Sequence, residues 1–297
     1  MIATGSDARI PAIDGLDGDP RRRPGRRGGR SVLRRFGAHV TIVEHGERLL
    51  AREDPAVGEL IAQRPCDEGI ELRLGAKAVA VSRREGKRVV RLEGGGEVSG
   101  RELRVATGRA PRVHGIGVET VGIQADAQGL MIDERCRAAD RVWAIEDVTG
   151  VLPFTHVGMY KGRITAADIA GRSVRADYTA IPRVVSSDPE VAAVGLTGSQ
   201  AREQGIAVAT ARVALADAIA RPWTYEQNPR GELGLIADRD REVLVGAWAV
   251  APMAGEWIHY AALAIKTKTP ISVLRDTVAQ FPTFTEAYLE GVESLEL

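Results

Sequence analysis

Cysteine is almost missing from this sequence: Cys66 and Cys136 are the two in 297 residues. They lie far apart and form no Cys-x-x-Cys spacing. That excludes a disulfide framework, gives no metal site to expect, and fits a reducing, cytoplasmic setting. Aromatic residues are also scarce, at 4%, which argues against platforms that stack nucleic-acid bases. Net charge is zero, so no global attraction to polyanions is expected, and nucleic acid is not an expected partner. The longest apolar run, VLVGAWAVAPMAG, is too short to span a bilayer and contains a proline. MIATGSDARI has no basic start followed by an apolar core, so it does not read as a signal peptide.

What is present suits a packed, multi-unit chain. Hydrophobic residues make up 44%, ample for a core, and the length favours two or three units. The segment ATG at 3–5 is repeated within ELRVATGRAPRV at 102–113. Each copy reads as a strand running into a turn, so the pair reads as the two crossings between nested domains. Between them, AHVTIVEHG (38–46) reads as a strand stopping at Glu44. DPAVGELIAQR (54–64) has helical spacing, with Asp54 as N-cap and Pro55 at the first helical position. Residues 70–81 read as strand, glycine turn, strand, and 88–108 as a hairpin through Gly94–Gly96 followed by another strand.

Residues 128–150 suggest a strand, a loop and a second buried strand ending at Asp147. Residues 154–171 suggest a helix with apolar residues crowded around its cylinder, hence buried on more than one side. From Tyr178 the character changes. Two short strands flank Asp188-Pro189, and Thr197 caps a short helix ending at Gly205. Residues 234–238 and 243–251 form a hairpin, and helices follow over 254–267, 271–279 and 284–295. In the first of these, Trp257, Ala261, Ala264 and Ile265 share a face.

Residues 19–37 are the anomaly. Gly25, Gly28 and Gly29 lie among Arg21, Arg22, Arg23, Arg26, Arg27 and Arg30, with no apolar strand before them. Arginines can bind phosphate by charge and paired hydrogen bonds, but they cannot replace a strand that positions a loop. The stretch reads as a solvated basic segment; a rebuilt phosphate or nucleic-acid site is the competing reading.

Six segments in order, ATG (3–5), VTIVE (40–44), ATGRAP (106–111), WAIEDVTG (143–150), DPEVAAVGLT (188–197) and FPTFTEAYLE (281–290), resemble the FAD-dependent pyridine nucleotide-disulfide oxidoreductases, with dihydrolipoamide dehydrogenase and mercuric reductase as members. The resemblance implies an α/β fold of two dinucleotide-binding domains with an α+β dimerisation domain. It divides the chain into a remnant of the FAD domain (1–20), an NAD(P)-binding domain with a degraded first strand and glycine loop (21–107), the C-terminal part of the FAD domain (108–177) and a dimerisation domain (178–297). It further implies an N-terminally truncated member, FAD and NAD(P)H as cofactors with binding impaired, and a homodimer through 178–297. A separate chain supplying the missing FAD half is a further implied partner.

The resemblance also assigns residues. Thr4, Gly5 and Gly108 fall at the crossings, against the cofactor. Glu44 ends the strand whose acid takes the adenine ribose hydroxyls, which leans to NADH over NADPH. Asp147 stands at the position that hydrogen-bonds the ribityl chain, but the glycine expected before it is Glu146, whose bulk and charge would weaken FAD binding. His156 starts the next helix as a packing or capping residue. Glu286 matches the glutamate that orients a proton-donating histidine, and Phe281 stands where that histidine would be. Phenylalanine cannot transfer a proton. The implied activity is hydride transfer from NAD(P)H to flavin and on to an unknown acceptor. The alternative is a non-catalytic dimerising scaffold.

Overall fold

The two ATG crossings pair with one another. Ser6–Ala8 runs antiparallel to Arg109–Pro111, with Ser6 opposite Pro111 and Ala8 opposite Arg109. Ile2 bridges in parallel to Ala144. The computed structural model describes residues 1–16, 23, 24, 33–224 and 226–297, of which 23, 24 and 64–67 are described by backbone alone. The expectation for the glycines and arginines of 25–30 lies outside the described residues. Arg23–Pro24 pairs in parallel with Arg104–Val105.

The chain divides into two units. One comprises residues 1–25 and 102–178, the other 26–101 and 179–297. In the first, short strands and turns enclose a core of Val113, Val118, Ile123, Leu130, Ala144 and Val148. The second strand expected to end at Asp147 stops earlier. Val142–Trp143 is extended, and Glu146–Thr149 is a 3-10 turn. The reason is Glu146, whose φ of 65° breaks the extended run.

The helix Thr155–Ile169 forms as expected, but it does not bury several sides. Val157, Lys161, Ile164, Thr165 and Asp168 are buried along one face, while Met159 and Ile169 are exposed. Polar residues complete the inward stripe, which hides its period from a purely hydrophobic count.

In the second unit, five antiparallel strands order as Arg183–Val185, Glu190–Gly195, Val243–Ala251, Glu232–Asp238 and Val208–Ala214. Alternation decides the two faces. Leu233, Leu235 and Ala237 join the core beneath the C-terminal helices, whereas Ile236 points to the opposite face. Trp257 stacks on Phe284 at 5.7 Å, and the fully buried Tyr288 packs edge-on to the same indole. Full burial of one such side chain contributes about 1.5–3 kcal/mol. The opposite face takes Val57 and Ile61 of the helix Pro55–Asp67 against Val191, Trp248 and Val250. Asp54 caps that helix by accepting the Ala56 N–H at 3.2 Å. Thr197 and Gln200 form a reciprocal capping box on Gly198–Glu203.

The expected C-terminal helices are shorter than the apolar pattern suggests. The first breaks into Ala254–Trp257 and His259–Thr267, the second ends at Arg275, and the third is Glu286–Glu293. Thr41–Val43 pairs in parallel with Glu71–Arg73, as a nucleotide-type sheet requires. Among the described residues, no helix is long and apolar enough to cross a membrane.

Candidate functional site

The first unit gathers a polar site from segments a hundred residues apart. Thr4 Oγ1 donates to the Arg112 carbonyl at 2.7 Å, and the Gly5 carbonyl accepts the Arg112 N–H at 3.0 Å. These bonds hold the first crossing against the second. Gly5 has φ 71°, which lets the chain turn there without a Cβ penalty. The next residue, Ser6, donates its hydroxyl to the Asp147 carboxylate. Arg109 closes the set: its Nε lies 2.6 Å from Ser6 Oγ and 3.2 Å from Asp147 Oδ2, and its Nη2 donates to the Ser6 carbonyl at 2.6 Å. Outside this set, Arg112 pairs with Asp7, and the guanidinium beside it holds the Asp7 carboxyl below its ordinary range.

Asp147 is carried by a tightly built turn. Its carbonyl accepts the Gly150 N–H at 2.9 Å. Gly150 has φ 68°, and a Cβ there would lie 1.7 Å from the Gln128 carbonyl oxygen, so no other residue fits without moving the backbone. Beneath the turn, the fully buried Lys161 places Nζ 2.6 Å from Thr149 Oγ1, 2.6 Å from the Val151 carbonyl and 3.3 Å from the Glu146 carbonyl. Burial pushes its ammonium down from 10.5 to about 8, against the opposing pull of Cys136 and Asp147. Burial likewise pushes the Cys136 thiol up.

Glu146 reaches back across this turn. Its Oε2 lies 4.0 Å from where a Cβ of Gly5 would stand, and its Cγ 3.4 Å from the corresponding point on Gly158. The side chain therefore occupies space beside two residues that have no side chain of their own.

The remaining expected site residues stand apart from this cluster. Gly108, at φ 120°, accepts the Arg9 N–H at 3.0 Å and shapes the crossing. His156 is exposed and stacks on Phe154 at 5.3 Å. In the second unit, Glu44 follows Thr41–Val43 and accepts the Gly46 N–H at 3.0 Å, with His45 Nδ1 3.5 Å away. Glu286 accepts the Thr283 N–H at 2.8 Å and so ties the first helical residue to the turn before it, while the Phe281 side chain is exposed.

Two sequence profiles of one family match the chain. The pyridine nucleotide-disulphide oxidoreductase profile covers residues 30–172, and the dimerisation-domain profile of the same oxidoreductases covers 181–292. The chain belongs to the pyridine nucleotide-disulphide oxidoreductase family. It is 35% identical to mercuric reductase of Acidithiobacillus ferrooxidans, over all of this chain and 56% of that protein. It is 32% identical to dihydrolipoyl dehydrogenase of Thermus scotoductus, over 89% of this chain and 58% of that protein. The chain thus spans a little over half the length of these curated relatives. Among solved structures it resembles the HOCl-induced flavoprotein disulfide reductase RclA of Escherichia coli. That likeness has a TM-score of 0.90 at 27% identity, over 99% of this chain and 73% of the other.

The family is FAD- and NAD(P)H-dependent, so the fit of each group can be tested here. The Asp147 carboxylate, steadied by Ser6 and Arg109, and the bare backbones at Gly5 and Gly158 suit a hydroxyl-bearing chain lying along the turn. Glu146 sets bulk and a carboxylate beside both of those glycines. Sequence reasoning passed over Ser6, Arg109 and Lys161. Ser6 and Arg109 each directly follow an ATG, which was the available signal; Lys161 left none beyond its place on a helix.

Proposed function

We propose that this chain carries the C-terminal flavin-facing elements, a nicotinamide-binding segment and the dimerisation domain of an FAD- and NAD(P)H-dependent oxidoreductase. The carrying observation is the Asp147 carboxylate, held by Ser6 and Arg109 on the turn that Gly150 shapes. In this reading Asp147 accepts hydrogen bonds from the ribityl hydroxyls, and the Thr4–Gly5 and Gly108 turns keep the crossings close to the cofactor. FAD, when bound, accepts a hydride from the nicotinamide and passes electrons to an acceptor. Glu44 selects NADH over NADPH, since a second anion beside a 2′-phosphate is repelled.

Turnover is impaired in this reading, for two reasons. Glu146 obstructs the flavin approach, and Phe281 supplies no proton where the resemblance implies a histidine. Residues 1–25 and 102–178 form the flavin half, 26–101 the nicotinamide segment and 179–297 the dimerisation domain. A homodimer through the last of these is supported by exposed Leu263, Val273, Val278 and Phe281, apolar surface that a second copy would cover. In the same reading the protein works in the cytoplasm, which its sparse thiols favour.

The alternative, a non-catalytic dimerising scaffold, is favoured by the same Glu146 and Phe281. One experiment separates the two. The visible spectrum of the purified protein is recorded before and after excess FAD, then after NADH, with desalting between additions. A retained flavin band that bleaches with NADH supports the oxidoreductase. A colourless dimer after desalting supports the scaffold and rejects flavin-dependent turnover.

A further inference from the structure

A buried lysine with no carboxylate among its hydrogen-bond acceptors needs an explanation. Methionine has similar length and would fill the space without the cost of desolvating a charge. Lys161 makes three hydrogen bonds, and all three acceptors belong to one short segment: the Glu146 carbonyl, the Thr149 hydroxyl and the Val151 carbonyl. The Thr149 hydroxyl itself donates to the Glu146 carbonyl at 2.9 Å and accepts the Val151 N–H at 3.3 Å. The segment is bounded by two non-glycine residues in the left-handed region, Glu146 at φ 65° and Leu152 at φ 44°. Such residues favour reversion to ordinary backbone geometry unless surrounding contacts prevent it.

We propose that Lys161 is a positioning residue that holds the 146–151 turn in this conformation and thereby fixes where the Asp147 carboxylate faces its ligand. Lys161 acts through the turn and touches no ligand. Its three bonds anchor the residues on both sides of Asp147, while Ser6 and Arg109 hold the carboxylate itself. The hold on the turn stands by itself; the ligand consequence rests on the flavin reading.

Protonation of Lys161 is part of the same device. The groups around it are the Asp147 carboxylate, the Cys136 thiol and the Tyr178 ring, 6.0 Å from Nζ. The Glu146 carboxylate belongs to the turn itself. Because the buried ammonium holds its proton less tightly than a solvated one, opening that hydrates Lys161 is favoured at low pH and suppressed as pH rises.

The test is amide hydrogen exchange over residues 146–152 in the full chain, wild type against Lys161→Met, with the strand Glu190–Gly195 as internal control. The expected result is exchange at least about tenfold faster in the turn with the control strand unchanged. Turn exchange within about twofold of wild type overturns the proposal. If Lys161→Met does not fold, wild-type protein decides by NMR. The amides of the turn should then shift together with a midpoint near pH 8, and no shift between about pH 7 and 9.5 overturns it. FAD titration of the same two proteins separates the linked readings. Equal, measurable FAD affinity in both overturns the positioning of Asp147. A looser turn with no FAD binding in either leaves the hold by Lys161 supported and rejects the flavin reading.

Discussion

Arg109 Nε lies 3.2 Å from Asp147 Oδ2 and 2.6 Å from the Ser6 hydroxyl that donates to the same carboxylate. One guanidinium therefore orients both members of the hydrogen-bonded pair. The Arg109 side chain is 54% exposed, so its ion pair contributes at most about 1 kcal/mol to stability. Its larger effect is on orientation. Arg109→Met should lower melting by only a few degrees yet weaken FAD binding about tenfold in a flavin titration. Asp7→Asn, which breaks the neighbouring exposed pair with Arg112, should leave the titration unchanged.

Glu146 combines an obstructing side chain with an unfavourable backbone. A left-handed residue with a Cβ costs about 1–2 kcal/mol, and glycine removes that cost while adding up to about 1 kcal/mol of backbone entropy. Glu146→Gly should thus be neutral or stabilising by about 1 kcal/mol in urea unfolding. It should also bind FAD more tightly than wild type. Glu146→Gln, which removes the charge but keeps the bulk, should recover less; equal recovery by both would assign the obstruction to charge.

Lys161 gives a pH signature with a definite sign. Its folded pKa, about 8, lies below the ordinary 10.5. Burying the charge therefore lowers stability in full below about pH 8. That cost is relieved as pH rises towards 10.5, by roughly 3 kcal/mol in all. The Cys136 thiol and Tyr178 phenol, both pushed up by burial, act in the opposite sense. The difference between wild type and Lys161→Met isolates the lysine: wild type should gain on the variant as pH rises from 8 to 10.5.

Glu286 is committed to its own helix start through the Thr283 N–H. Glu286→Ala should cost about 1 kcal/mol by thermal unfolding, the usual net loss of one hydrogen bond. For the same reason Phe281→His should not by itself create disulfide reduction. A new imidazole there meets a glutamate already in use, and a dithiol-disulfide assay would show the gain if this account were wrong.

Much of the second unit was legible from sequence because its signals are local. Asp54-Pro55 marked a helix start, Thr197 marked another, and turn residues set off the hairpin over 234–251, whereas the alternating strand Val208–Ala214 went unread. The helix Thr155–Ile169 was found, but its buried face was missed because Lys161, Thr165 and Asp168 complete it. Asp168 is buried yet satisfied by Arg137 and Trp143 from elsewhere in the chain, a partnership no local pattern reveals. The site around Asp147 was half visible. The aspartate was found by resemblance, whereas Ser6 and Arg109 reach it only through the pairing of two distant strands. The turn at Glu146 was read as strand because a left-handed glutamate contradicts the preference of its residue type.

The pairing of Ser6–Ala8 with Arg109–Pro111 also sets a timetable. It is a hairpin whose loop holds about a hundred residues, so closing it as free chain costs on the order of 4 kcal/mol in entropy. Emerging from the ribosome, the first of these strands must wait until the whole intervening stretch has been synthesised before its partner exists. Earlier folding of residues within that stretch shortens the effective loop and makes closure easier. Any slowing of the inserted segment should therefore delay completion of the Asp147 site, even though none of the described residues of that segment belongs to it.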